Sequence, residues 1–135
     1  MRVLLDSNVL ISAAINKGKP RKLLLKALAG EFVLVSSNEL LKELEGVIAR
    51  PKFRLSSSEV QKFVSAFKKT VELVKVKSNL RIVEDPADDK VLNAAYDGKV
   101  DYIVTGDADL LKLKEFRGIK IVPASRMLEM SKLKE

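Results

Sequence analysis

The sequence contains no cysteine and no histidine among its 135 residues. Without cysteine there are no disulfide bonds and no thiolate metal ligands; without histidine there is no Ser-His nucleophile, imidazole base or histidine-bound zinc. Carboxylates, lysine, arginine, tyrosine and hydroxyl groups are left to carry any chemistry. Hydrolysis by these groups would most readily use hard cations such as Mg²⁺ or Mn²⁺, which bind carboxylates well.

Long hydrophobic runs are also absent, and no apolar segment approaches the roughly 20 residues that cross a bilayer. The N-terminus lacks the pattern of a signal peptide, so we expect a cytoplasmic protein with no membrane partner. The chain length and a hydrophobic content of 47% suit one domain with a sizeable core. We expect a single domain over residues 1–135, with a polar C-terminal tail over about 130–135.

The net charge of +7 is unevenly distributed along the chain. Residues 84–109 hold eight acids against two bases, a local charge of −6, so the remainder carries +13. Lysines kept for solubility, or the Lys- and Glu-rich surface of a thermophilic protein, would explain the basic remainder. An acidic pocket in a basic surface would instead suit a metal site that acts on a polyanion. Charge alone leaves both interpretations open.

Short β-branched or leucine-rich runs alternate with segments of helical period, which predicts an α/β fold. The predicted strands are 2–5, 32–35, 80–83, 102–105 and 119–122. Apolar spacing predicts a helix over 57–74, Gly30 and Gly98 each follow a predicted helix, and Ser36 with Glu39 forms a predicted capping box. We therefore expect a single-domain open parallel sheet with helices on both faces.

Acidic residues stand where three of these strands end. Asp6 ends the first strand, Asp107 follows "YIVTG", and Asp88 and Asp89 come after the 80–83 run at the start of a helix. Because the carboxyl ends of parallel strands meet at one edge of a sheet, we expect these acids to meet on one rim. Helix capping would explain each of them singly, but it explains the set less well.

Glu43 and Glu45 both border the apolar stripe of the predicted helix over 37–49. Either could be an ordinary boundary residue whose stem covers apolar surface. Periodicity does not choose between them.

Four segments in this order, "LLDSNVLIS", "SSNELLKELEGVIARPKF", "DPADDKVLNAA" and "DYIVTGDADLLKL", resemble the PIN domain family, and in particular the toxin components of toxin–antitoxin systems. The resemblance runs to about "GIKIVPASRMLE", which is nearly the whole chain. It implies a small α/β nuclease that cuts single-stranded RNA with one or two Mg²⁺ or Mn²⁺ ions held by acidic residues. Ser7 and Asn8 stand where many members have Thr-Asn.

The resemblance also assigns the site residue by residue. Its catalytic and metal-binding acids are Asp6, Glu43, Asp88 and Asp107. Within the acidic pair Asp88 fits the following apolar positions best, and Asp89 stays a second candidate ligand. Asp109 is a further candidate metal ligand through an outer contact, and Asn8 and Thr105 would orient carboxylates or water.

The chemistry implied is attack on a phosphodiester, a centre surrounded by negative charge. Crowded carboxylates suit that reaction only if cations neutralise them, activate a water and stabilise the developing charge. The hypothesis is hydrolysis without a covalent enzyme intermediate. Candidates for phosphate contacts are Lys17, Lys19, Arg21, Lys22, Arg50, Lys52 and Arg54, with Phe53 for base stacking. For each residue taken singly, a solvated lysine or a core phenylalanine is the simpler explanation.

Alternative functions remain within and outside this family. A PIN domain that binds RNA or protein without cutting would keep the same acids. A dehalogenase-like phosphatase needs a second aspartate where Asn8 stands, and a phospho-receiver domain needs its paired acids early in the chain. The toxin resemblance implies an antitoxin partner, and family habit implies a homodimer, with the apolar face of 57–76 or the segment "RMLEMSKL" as candidate contacts.

Overall fold

The computed structural model describes residues 1–133, in which six strands form one sheet around β1 and β4. The strands are β1 (Arg2–Leu5), β2 (Val33–Ser36), β3 (Glu72–Leu73), β4 (Tyr102–Val104), β5 (Glu115–Phe116) and β6 (Ile119–Val122). Their order is β3-β2-β1-β4-β6-β5, and every pairing is parallel except that of β5 with β6. The carboxyl ends of β1, β2, β4 and β6 therefore lie at one edge.

Helices connect the parallel strands. They are α1 (Ser7–Ile15), α2 (Lys19–Leu28), α3 (Asn38–Ile48), α4 (Ser57–Thr70), α5 (Pro86–Asp97), α6 (Ala108–Leu113) and α7 (Ala124–Leu133), with a 3₁₀ turn at Pro51–Phe53. Ser56 and Glu59 form a capping box at the start of α4. The predicted capping box at Ser36 is one residue early, because Ser36 ends β2 and Ser37 caps α3 by accepting from Leu40 N.

Alternation along β1 separates two hydrophobic cores. Val3 and Leu5 face a core shared with α1, α2, α3, α4 and α7, whereas Leu4 faces a core built mainly with α5 and α6. Helices thus cover both faces of a mostly parallel sheet, which confirms the predicted α/β class.

The third strand is not where the sequence predicts it. Residues 80–83 form no strand, and the chain instead leaves α4 at Thr70 and pairs β3 with β2. Val71 adopts extended angles (φ −81°, ψ 143°), so the predicted helix over 57–74 is four residues too long. The apolar character of 80–83 has another cause, since Ile82 and Val83 pack against the core of α5 and α6.

Two further differences concern the C-terminal third. A hairpin adds β5 as an antiparallel edge strand, and its turn places Arg117 and Gly118 at positive φ (48° and 85°). The predicted polar tail over 130–135 is helical as far as Leu133, and residues 134 and 135 lie outside the described part. Among residues 1–133 no helix is long and apolar enough to cross a membrane.

Candidate metal centre

Asp6 stands at the junction of β1 and α1. Its backbone N–H donates to Val104 O (2.9 Å), which continues the pairing of β1 with β4. One carboxylate oxygen accepts from Ser7 N (2.8 Å), and the other accepts from the Thr105 hydroxyl (2.8 Å). Burial raises the pKa of Asp6, and the negative charge of Asp107 adds to the rise, while the bonds from Thr105 and Ser7 oppose it. Asp6 therefore caps a helix and also faces other acids.

Thr105 connects Asp6 to the loop after β4. Its side chain is fully buried; its hydroxyl donates to Asp6 and accepts from Asp107 N (3.0 Å). Nearby, Asn8 Oδ1 accepts from Gly106 N (3.2 Å). Asp107 begins α6, where its carboxylate accepts from Asp109 N (2.9 Å). Two strand ends are thus fixed to each other through the polar side chains of Thr105 and Asn8.

Asp88 lies in the first turn of α5 and is only 6% exposed. Within the described residues its Oδ2 has no hydrogen-bond partner. Burial, reinforced by Asp107 and then by Asp85 and Asp6, raises the pKa of Asp88 to about 7. One carboxylate oxygen from each of Asp88, Asp107 and Asp109 lies within 4.8 Å of the other two. The arrangement concentrates negative charge where the buried Asp88 meets the half-buried Asp107 and the exposed Asp109.

A cleft of about 450 Å³ opens over this point. The acids that line it are Asp6, Glu43, Asp85, Asp88 and Asp107. The structure thus brings together the four acids that the resemblance assigns. Glu43 reaches the cleft from α3, whereas Glu45 is exposed and borders a different groove beside α4. Asp109 belongs to the carboxylate cluster but not to the lining of the cleft.

Asp85 is a cleft residue that the site prediction omits. It caps α5 through a bond from Ala87 N (2.9 Å) and faces the cleft beside Asp88. The signal for it was the Asp-Pro step, because proline is favoured at the first position of a helix and aspartate just before it.

Asp89 is not brought to this cleft. Its Oδ1 accepts from Ile82 N (2.9 Å) and Val83 N (3.0 Å), and it borders a separate groove on the other side of α5. Neighbouring residues of a helix point about 100° apart, and here Asp88 lines the cleft while Asp89 is turned toward the separate groove. The geometry gives no support to Asp89 as a metal ligand.

Asp89 is the first of three residues that bind the segment 77–83 to α5. Asn93 exchanges bonds with the backbone of Leu80, and Asp97 accepts from the backbone N–H groups of Lys77 and Ser78. Positions 89, 93 and 97 repeat every four residues and so lie on one face of α5. These side chains supply partners for a segment that has no place in the sheet, which explains its irregular conformation.

The donor set fits a divalent cation. Its members are hard carboxylate oxygens, the ligands that Mg²⁺ and Mn²⁺ prefer. The Oδ2 of Asp88 has no hydrogen-bond partner within the described residues, and burial raises the pKa of Asp6 and of Asp88, so a cation bound here would offset an unfavourable charge. The predicted phosphate contact of Arg21 has another role, since its guanidinium donates to Ala13 O and Ala14 O at the end of α1.

A mostly parallel sheet with crowded acids at its carboxyl edge defines an α/β domain with a candidate cation site. The sequence model of the PIN domain matches residues 2–109, so the chain belongs to the PIN domain family. It is also 33% identical over 119 residues to an uncharacterized protein of Methanocaldococcus jannaschii, covering 85% of this chain and 76% of that protein. No solved structure matches. PIN domains are generally nucleases that use divalent metals, and the acidic cluster agrees with that class.

Proposed function

We propose that this protein is an endoribonuclease that hydrolyses phosphodiester bonds of single-stranded RNA in a metal-dependent reaction. The observation that carries the proposal is the cleft itself, in which carboxylates from the β1–α1 junction, α3, α5 and the loop after β4 converge. A net charge of +7 places this acidic point in a basic protein, which favours association with a polyanion.

Asp6, Glu43, Asp88 and Asp107 are the proposed catalytic residues. Asp88 and Asp107, with Asp109 beside them, would hold Mg²⁺ or Mn²⁺, and Asp6 and Glu43 line the same cleft. A bound divalent cation supplies charge neutralisation at the phosphate and activation of water. Thr105 orients Asp6 and favours its ionised form by donating to it, and Asn8 fixes the loop that carries Asp107.

A toxin role in a toxin–antitoxin pair is the proposed biological setting, supported by the motif resemblance described above. An antitoxin protein would then block the cleft, and the site of action would be the cytoplasm, where RNA is exposed. A homodimer is also proposed. The two candidate dimer contacts named from the sequence, the apolar face of 57–76 and the segment "RMLEMSKL", pack against the chain's own core. Their residues Val64, Phe67, Met127 and Leu128 are buried there. Leu25 and Leu28 on α2, 57% and 43% exposed, are better candidates for contact with a second copy.

The decisive experiment is cleavage of a mixed-sequence single-stranded RNA with Mn²⁺, with Mg²⁺ and with a chelator. We expect metal-dependent cutting by the wild type and none by Asp6→Asn. Asp89→Asn is the matched control, because it neutralises an acid outside the cleft and keeps an oxygen acceptor for Ile82 and Val83. A parallel single-stranded DNA tests whether the substrate is RNA.

Two outcomes would count against the proposal. If a folded wild-type protein binds the metal and cuts nothing, the alternative of a catalytically silent PIN domain that binds RNA or protein is favoured. If Asp6→Asn cuts as well as the wild type, the activity does not arise in this cleft.

A further inference from the structure

The cleft continues past its carboxylates into an apolar part. The apolar side chains that line it are Ile11, Ile15, Val47, Phe53 and Val91. On α3, Glu43 and Val47 are one turn apart, and on α1, Ile11 and Ile15 are one turn apart. At about 1.5 Å per residue, Ile15 lies about 12 Å along α1 from the helix start beside Asp6. The cleft therefore has an acidic end and an apolar end.

Phe53 forms the wall of the apolar part on a rigid turn. Arg50 O accepts from Phe53 N (3.1 Å), and Pro51 O accepts from Arg54 N (3.0 Å). Pro51 begins the turn, and Arg54 closes it in the left-handed region (φ 55°). The ring is half-buried, and Ile15, which lines the same cleft, is 37% exposed, so apolar surface stays open to a ligand.

Two polar side chains of α1 face the same space. Ser12 and Asn16 line the cleft one helical turn apart, and within residues 1–133 neither side chain makes a hydrogen bond. The Asn16 amide offers both a donor and an acceptor, the combination that matches the edge of a nucleobase. The apolar end thus carries a free polar group where a flat ligand could be recognised.

Cations surround Phe53 along the chain. Arg50, Lys52 and Arg54 are exposed, and Lys52 Nζ lies 5.1 Å from the centre of the Phe53 ring. An apolar side chain of a protein partner would fill the cleft without needing these charges. A nucleotide uses both features, because its base stacks on an aromatic ring and its phosphate pairs with lysine or arginine.

We propose that the apolar end of the cleft binds one base of the RNA, adjacent to the phosphodiester held at the carboxylates. Phe53 and Ile15 form the walls against which the base stacks, and Asn16 reads its edge. The inference rests on the proposed ribonuclease function and deepens it, because it makes Phe53 and Asn16 residues that determine sequence preference at one nucleotide.

The test removes the base and the ring separately and together. Once the cut position in a short RNA is known, each nearby nucleotide is replaced in turn by one that lacks its base. Stacking of one base on an aromatic ring corresponds to roughly 5- to 150-fold in rate or affinity, so one abasic position should slow cleavage by about tenfold or more. Phe53→Leu, which keeps an apolar side chain, should slow cleavage of intact RNA similarly and should have no further effect on the abasic RNA.

Asn16→Ala provides a second variant that is exposed and not expected to affect folding. It should flatten the preference among the four bases at the sensitive position while leaving cleavage of the abasic RNA unchanged. Asn79→Ala is the matched control, because Asn79 is exposed and borders the groove on the other side of α5.

Binding measured separately distinguishes the two proposals. RNA binding is measured by fluorescence anisotropy with Asp6→Asn and with Asp6→Asn/Phe53→Leu. Removing the base from the RNA and removing the ring from the protein should weaken binding by the same factor. That binding result without any cutting by the wild type would overturn the nuclease and retain the base site. Cutting that no abasic position affects, or an abasic penalty that persists in Phe53→Leu, would overturn the base site, retain the nuclease and favour a protein side chain as the occupant.

Discussion

Replacing Asp88 with asparagine is expected to stabilise the metal-free protein near neutral pH. Asp88 is 6% exposed, its Oδ2 lacks a partner within the described residues, and three other carboxylates act on it. Asparagine has almost the same shape but carries no charge, and its amide group can donate to a neighbouring carboxylate. The substitution should therefore remove a repulsion without creating a cavity.

The pH dependence of this effect follows from the raised pKa. The pKa of Asp88 is about 7 in the folded protein, against an ordinary value of 3.8, so the folded state binds a proton that the unfolded state has released. Stability is therefore lost as pH rises from about 4 to 7 and is level above that. At 1.36 kcal/mol per pKa unit the loss has a ceiling of about 4 kcal/mol. Because neighbouring acids share the proton, we expect Asp88→Asn to gain about 2 kcal/mol at pH 8.

Thermal and urea unfolding with a chelator, between pH 5 and pH 8, measure this gain. For a chain of this length about 2 kcal/mol corresponds to a rise of roughly 6–10 °C in Tm. The gain should grow with pH, and it should be absent in Asp89→Asn, the adjacent control. A variant no more stable than the wild type at pH 8, or an advantage independent of pH, would refute the claim that Asp88 is an uncompensated buried carboxylate.

Three other predictions concern the same cleft. Mg²⁺ or Mn²⁺ should raise the Tm of the wild type more at pH 8 than at pH 5, because the ligands must be ionised, and Asp107→Asn should lose most of this rise. Asp89→Ala should lower the free energy of unfolding by about 1–3 kcal/mol in urea titrations, because two backbone N–H groups lose their acceptor, yet metal should still raise its Tm. Thr105→Val should cost about 1–2 kcal/mol and raise the pKa of Asp6 further, visible in carboxyl NMR titrations; an unchanged titration would mean that the hydroxyl does not hold that carboxylate.

Most of the fold could be predicted because its central elements carry local signals. β1, β4 and β6 are apolar runs bounded by polar turns, and α4 and α5 begin at capping residues. The edge strands β3 and β5 are two residues long, too short for any periodicity to show. Their pairing depends on a neighbouring strand from elsewhere in the chain, so it is decided by tertiary contacts.

The position of Asp88 was predicted from a strand that does not exist. Residues 80–83 lie alongside α5 and outside the sheet. Asp88 reaches the rim because α5 begins there, directly after Asp85. The apolar periodicity of α3 could not decide between Glu43 and Glu45, for a related reason. Both residues border the apolar stripe, and only the packing of α3 beside α1 determines which border faces the cleft.

The two adjacent acids of α5 have different roles: Asp89 helps to anchor the helix, and Asp88 places a carboxylate where ionisation is unfavourable. Asp89, Asn93 and Asp97 hold the segment 77–83 through backbone hydrogen bonds, and this fixes the rotation of α5 about its own axis. That rotation aims Asp88 into the cleft, where burial and like charges oppose its ionisation. Because the stabilising contacts lie on a different face of the same helix, a rotation of α5 that exposed Asp88 would break them. The repulsion is thereby retained for the divalent cation that we propose to bind here.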